Sequence, residues 1–123
     1  MIINTKEISN IYIYNGGTDL RNHTNGLCKI IKRNFNLDAK DKSLYVFFNT
    51  AKTLMKSIYW DGSGFWLISK KMELGFNINY DNERKLATID EDTFEWLMQG
   101  SAEKLEIENL KTQSVNPNVS FAE

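Results

Sequence analysis

The order of segments along the chain predicts an α+β domain, a mainly antiparallel sheet with a central hairpin, packed by a long helix in the N-terminal half and a shorter C-terminal helix. Three observations carry that prediction. Segments rich in β-branched and aromatic residues cluster between residues 43 and 72, and two stretches with helical spacing flank them. No regular alternation of strand and helix, of the kind a parallel sheet needs, is visible. The chain of 123 residues, 41% of them hydrophobic, is long enough to bury one core without a staple, and its single Cys could build neither a disulfide nor a metal framework.

The first element is a strand over Asn10 to Tyr14, predicted to end in a turn at Gly16-Gly17. A helix should follow, with Thr18 as N-cap and Asp19 in its first turn. Leu20, Thr24, Leu27, Cys28, Ile31 and Phe35 recur at three- and four-residue steps and predict its buried stripe, which leaves Arg21, Lys29, Lys32 and Arg33 on the other side. Gly26 inside this helix costs about 1 kcal/mol relative to Ala, a cost that close packing or a kink would explain.

Three strands are then predicted, over 43–49, 55–60 and 65–72. Asp61-Gly62-Ser63-Gly64 is the turn of the clearest hairpin. Along the third strand Phe65, Leu67, Ser69 and Lys71 face one way and Trp66, Ile68, Lys70 and Met72 the other, so the hairpin tip is expected to be more buried than its base. A weaker strand over 85–89 precedes the second helix, with Asp90 as N-cap, Glu91 and Asp92 in the first turn, Phe94, Leu97 and Met98 as apolar face, and Gly100 just past the end. Residues 1–100 are expected to form the single domain. Residues 101–123, with the only Pro at Pro117 and no periodicity, are expected to be a variable, flexible acidic tail.

The formal net charge of −1 hides a strong division. Residues 20–72 carry ten basic against three acidic groups, a balance of +7, and residues 73–123 carry four basic against eleven acidic, a balance of −7. A basic block of this size suits a polyanion-binding face, because each phosphate contact needs a cation, but it equally suits a solvated Lys-rich surface. The longest apolar run, Leu44 to Phe48, is five residues, far short of the roughly 20 that a membrane helix needs. Met1-Ile2-Ile3 gives way at once to Asn4, Thr5, Lys6 and Glu7, which does not read as a secretory leader and predicts a cytoplasmic protein.

Candidate chemistry is sparse. Asp19, Asp61, Glu73 and the run Asp90-Glu91-Asp92 could in principle supply a carboxylate triad for metal ions, but helix capping and turn formation explain most of them more simply. His23 and Cys28 are each the only residue of their kind, and a five-residue separation points them roughly 140° apart on a helix, which gives no nucleophile and base pair. Gly16-Gly17-Thr18-Asp19 lacks the further glycines, Lys and Ser/Thr of a phosphate loop. The sequence thus predicts no catalytic residues, no metal and no cofactor. Trp60, Phe65 and Trp66 with Lys52, Lys56, Lys70 and Lys71 form the one aromatic-plus-basic grouping, suited either to base stacking with phosphate contacts or to a packed core under a Lys rim.

The order of these motifs is more specific than any one of them. Thr18-Asp19-Leu20-Arg21, Asn25-Gly26-Leu27, Leu44-Tyr45-Val46-Phe47, the run from Lys56-Ser57-Ile58-Tyr59-Trp60 through Asp61-Gly62-Ser63-Gly64-Phe65, and Lys70-Lys71-Met72-Glu73 with Gly75 follow one another. Together they resemble the TnpB accessory family, the second open reading frame product of the bacterial transposons grouped as insertion sequence 66. The resemblance spans about residues 11–100. It implies a small, non-enzymatic cytoplasmic protein encoded beside a separate transposase; that cognate transposase is the expected partner, and transposon-end DNA is a second candidate suggested by the basic block. The chain departs from the family pattern where Asn22 replaces a second cation after Arg21, and between Phe48 and Leu54, where Lys52 stands in place of an Arg-rich loop.

The expected function is therefore an accessory role in DNA transposition through contact with DNA, the transposase, or both. Arg21, Lys29, Lys32, Arg33, Lys52, Lys56, Lys70 and Lys71 are the expected phosphate contacts, while Asp19, Gly26, Trp60, Asp61, Gly62, Gly64, Phe65 and Glu73 are expected to hold the family motifs in shape. The alternatives are an adaptor to the transposase that never touches DNA, and a diverged inactive copy. A contiguous basic face containing both Arg21 and Lys70 would favour DNA, whereas scattered lysines beside an exposed aromatic patch would favour the adaptor.

Overall fold

A computed structural model describes residues 5–76, 78–79, 85–99, 105–106 and 111–113. In chain order it contains β1 (Ile11–Gly17), α1 (Thr24–Phe35), β2 (Leu44–Phe48), β3 (Leu54–Trp60), β4 (Phe65–Lys71), β5 (Ile78–Asn79), β6 (Leu86–Ile89), α2 (Glu91–Met98), β7 (Leu105–Glu106) and β8 (Lys111–Gln113). All five side chains of β2 are buried. A strand that is apolar on both faces must be covered on both, and the rest of the domain does this.

The main sheet has the order β4-β3-β2-β1-β6-β8, and β5 pairs with β7 in a separate two-stranded ladder. Most pairings are antiparallel, which bears out the α+β class, with the hairpin lying towards one margin of the sheet. β1 and β2, however, run parallel in the register Tyr12↔Tyr45. The sequence reading saw no strand–helix–strand unit, and β1, α1 and β2 correct it. Parallel neighbours need a crossover of about a dozen residues or more, and the segment 18–43, which contains α1, supplies one.

Strand alternation assigns each face its own cover. Tyr12, Tyr14, Tyr45, Phe47 and Ile58 meet Leu27, Ile31 and Phe35 of α1. On the opposite face Ile13, Val46, Met55 and Tyr59 meet Phe94 and Leu97 of α2, joined by Phe76 and Ile78. Each such side chain, fully buried, contributes on the order of 1.5–3 kcal/mol. The second helix starts as its sequence predicts: the Asp90 carboxylate accepts the Thr93 N–H at 2.7 Å, and the Thr93 hydroxyl together with that N–H holds the acid below its usual range. Gly100 lies outside the described residues, as does most of the expected tail. Within that stretch Lys111–Gln113 pairs with β6, and Leu105–Glu106 pairs with β5.

The first helix begins later than expected. β1 continues through Gly16 and Gly17 with an irregularity after Ile13, and Thr18 N–H donates to the Phe48 carbonyl at 2.8 Å. Thr18 is therefore still bonded to the end of the neighbouring central strand and cannot cap a helix, and Gly17 is no turn. A Cβ on Gly17 would sit 2.5 Å from Thr50 Oγ1, so the strand end needs Gly to pass the loop after β2. Leu20 is buried as its stripe predicts, but from the bend that precedes α1. His23 takes the N-cap position without a side-chain cap bond.

In the hairpin, burial changes across the strands rather than along them, contrary to expectation. β3 is covered on both sides through its middle, while β4 is an exposed margin with Trp66 43% and Leu67 38% accessible. The tip is shaped by Asp61. One of its carboxylate oxygens accepts Ser63 N–H at 2.8 Å, Ser63 Oγ–H at 2.9 Å and Gly64 N–H at 3.0 Å, and the other accepts Trp66 Nε1–H at 2.9 Å. Gly62 takes a φ of +104°, open only to Gly at little cost. Trp60 and Phe65 close the other side edge-to-face at 5.1 Å.

The bonds from Ser63, then Trp66 and Gly64, hold the Asp61 carboxyl at about 2, below its ordinary 3.8. A depressed carboxyl stabilises the fold fully above its unfolded value and loses that contribution as pH falls through the folded one. Trp66 emission should therefore change between about pH 4 and pH 2. In D61N, whose amide cannot accept from both sides, that step should be absent and Trp66 should already be released at neutral pH; an unchanged pH profile in D61N overturns the assignment.

Candidate nucleic-acid interface

The sequence of α1 contains three cations, Lys29, Lys32 and Arg33, and no carboxylate. All three are exposed, Lys29 and Arg33 on the side of the helix opposite Leu27, Ile31 and Phe35 and Lys32 on its flank beside Cys28. Lys32 and Arg33 lie in the last turn, where a positive charge complements the helix dipole. A cleft of about 540 Å³ beside this helix brings Lys32, Lys40, Asp38 and Phe65 together with Cys28. Burial pushes the Cys28 thiol up, away from nucleophile chemistry.

The remaining expected phosphate contacts are placed differently. Arg21 lies before α1 and grips Asp19, with Nε 3.0 Å from one carboxylate oxygen and Nη2 2.7 Å from the other. Its side-chain bonds draw the Asp19 carboxyl down to about 2. Asp19 also accepts the Arg21 N–H, and its own carbonyl accepts Asn22 Nδ2–H at 2.8 Å. The motif Thr18-Asp19-Leu20-Arg21 is thus a local clasp of neutral sum. Gly26 belongs to the same corner, because a Cβ there would lie 2.3 Å from Asn22 Oδ1.

Lys56 corrects the sequence reading most sharply. It sits between Leu54 and Ile58 on the face that α1 covers, and only 8% of it is accessible. Its ammonium donates to the Leu20 carbonyl and, at 3.2 Å, to that of Asn22, and it lies 3.3 Å from His23 Nδ1. Those carbonyls belong to the bend that enters α1. Lys56 is a strut beneath the helix start, not a surface cation. Lys52 lies partly buried in the loop after β2 with φ +61°, its carbonyl accepting Phe76 N–H at 2.7 Å.

Lys70 and Lys71 are neighbours in sequence but point to opposite faces. Lys71 pairs with Leu54 on the α1 side, while Lys70 pairs with Met55 on the α2 side and donates to the Met98 carbonyl at 2.7 Å. No single basic face contains Arg21 and Lys70. The carboxylates considered as a metal triad are likewise dispersed, with Asp19 in its clasp, Asp61 at the hairpin tip, Glu73 exposed after β4, and Asp90 capping α2. Among the described residues no three His, Cys, Asp or Glu side chains gather as a metal site.

The structure does gather charge in another way. α2 and its cap carry Asp90, Glu91, Asp92 and Glu95 and no cation. The division along the sequence becomes a division across the sheet, with a basic helix over one face and an acidic helix over the other. Sequence reading also passed over Lys40, whose Nζ lies 4.6 Å over the Trp60 ring. The three-residue spacing of Asp38 and Asp41 around it was the available signal of a tight turn, and Asp41 accepts the buried Tyr45 hydroxyl at 2.8 Å.

Two helices of opposite charge on either face of one mixed sheet define a small two-sided α+β domain. A family model described as IS66 Orf2 like protein matches residues 9–107, and the chain belongs to that family of transposon accessory proteins. The resemblance read from the motif order is borne out. No curated protein and no solved structure matches the chain. Among the described residues no helix is long and apolar enough to cross a membrane.

Removing the Lys56 ammonium leaves the Leu20 and Asn22 carbonyls without their donor. K56M should lower unfolding free energy by about 1–3 kcal/mol in urea titrations. A K56M protein whose unfolding free energy equals that of the parent contradicts the buried role.

Proposed function

We propose that this protein is a non-catalytic, two-sided accessory of transposition. Its α1 side contacts the phosphate backbone of transposon-end DNA, and its acidic α2 side docks on a basic surface of the cognate transposase. The observation that carries this reading is the opposite charge of the two helices across one sheet. Lys29, Lys32 and Arg33 stand on a helix with no acid of its own, and Asp92 and Glu95 stand on a helix with no base.

The electrostatics favour weak, sequence-tolerant DNA contact. Three cations neutralising three phosphates give a slope of log affinity against log salt of about −3, and Lys lacks the bidentate geometry by which Arg reads guanine. Specificity for the element would then come from the transposase. The adaptor reading without DNA draws support from the clasped Arg21, the buried Lys56 and the tethered Lys70, which together shrink the basic surface.

Neutral substitutions separate the two sides. K29Q/K32Q/R33Q should abolish gel-shift binding at low salt while capture of the protein by tagged transposase persists. D92N/E95Q should do the reverse. Transposase capture with no DNA binding by the parent at low salt selects the adaptor, and capture unaffected by either set of changes overturns the two-sided reading.

A further inference from the structure

β4 ends the main sheet, paired with β3 along its whole length on one side and with no described strand on the other. Its hydrogen-bonding phase is fixed. Asp61 N–H donates to the Gly64 carbonyl and Met72 N–H to the Thr53 carbonyl, so in this register Trp66, Ile68 and Lys70 turn their peptide groups toward β3. Phe65, Leu67, Ser69 and Lys71 present theirs at the open margin. A seven-residue margin with accessible Trp66 and Leu67 is a template for another strand.

We propose that the strand it receives is β4 of a second copy of this chain, paired antiparallel about a two-fold axis through Ile68. The sequence Phe-Trp-Leu-Ile-Ser-Lys-Lys is complementary to its own reverse. In this register Phe65 faces Lys71, Trp66 faces Lys70, Leu67 faces Ser69 and Ile68 faces itself, so each cation meets an aromatic ring. All four outward peptide units of each copy are used.

The competing registers are worse for stated reasons. Parallel pairing sets Lys70 beside Lys70 and Lys71 beside Lys71. Antiparallel pairing centred on Lys70 opposes like charges, and centring on Leu67 or Ser69 leaves the aromatic half or the basic half overhanging. A cleft of about 300 Å³ between β4 and α2, bordered by Ile68, Lys70, Phe94 and Met98, lies beside the position that Trp66 of the second copy would take. The bond from Lys70 to the Met98 carbonyl holds its stem as one wall of that cleft. The axis stands perpendicular to the sheet, so both α1 helices share one face of the joined sheet.

The test is the mass of the full chain in solution by sedimentation equilibrium, expected at twice 14.3 kDa. S69P removes one outward N–H without touching the β3 ladder, and W66K sets Lys against Lys70; both should be monomeric with circular dichroism like that of the parent. W66K/K70E restores an opposite-charge pair and should recover the dimer. In a C28S background, I68C should form an intermolecular disulfide on oxidation and L67C should not. A parent that stays monomeric at every concentration, or a dimer that persists in S69P and W66K while I68C fails to cross-link, overturns the proposal.

Discussion

The constraint on which this domain depends is the burial of β2 on both faces. Tyr45 and Phe47 point one way, Leu44, Val46 and Phe48 the other, and none is accessible to solvent. Two apolar helix faces are therefore required, one per side, and each helix must place its polar residues outward. Because most cations lie no later than the end of β4 and most acids after it, covering one strand twice converts a linear charge division into opposite charges on opposite surfaces. The electrostatic character of the protein follows from packing.

That logic was partly legible in the sequence. The run Leu44 to Phe48, the alternation along β4 and the Asp90 cap were each readable from local pattern, since each depends on residues within a few positions. The start of α1 was not. Thr18 has the right chemistry for a cap, but a bond from its N–H to Phe48, thirty positions away, keeps it in the ladder between the central strands. A local signal loses to a strand that continues for a tertiary reason. The parallel pairing of β1 with β2 is of the same kind, because only the length of the connection hinted at a crossover.

Lys56 shows a failure of another sort, in which the signal was present. Alternation places it between Leu54 and Ile58, the two apolar positions flanking it on one face of β3. A lysine on a buried face must find acceptors, and the bend before α1 offers two carbonyls where the helix has not yet begun to use them. The late start of α1 and the burial of Lys56 are one arrangement: the extended bend exposes the carbonyls, and the ammonium holds the bend. Counting Lys56 as a surface charge treated the basic block as composition when its members were divided by strand phase.

The motif most specific to the family has a comparable double role. From Tyr59 to Trp66 the chain buries Tyr59 on the α2 side, sets Trp60 edge-to-face against Phe65 on the α1 side, and ties Ser63, Gly64 and Trp66 to one carboxylate. A tip closed in this way permits one register, and a register slip of one residue would send every side chain of β4 to the other face. The clasp thus decides which side of the sheet receives Lys70 and which receives Lys71, and which peptide groups remain at the open margin. The residues with the strongest motif signal act on the surface indirectly, by setting the phase of the strand that bears it.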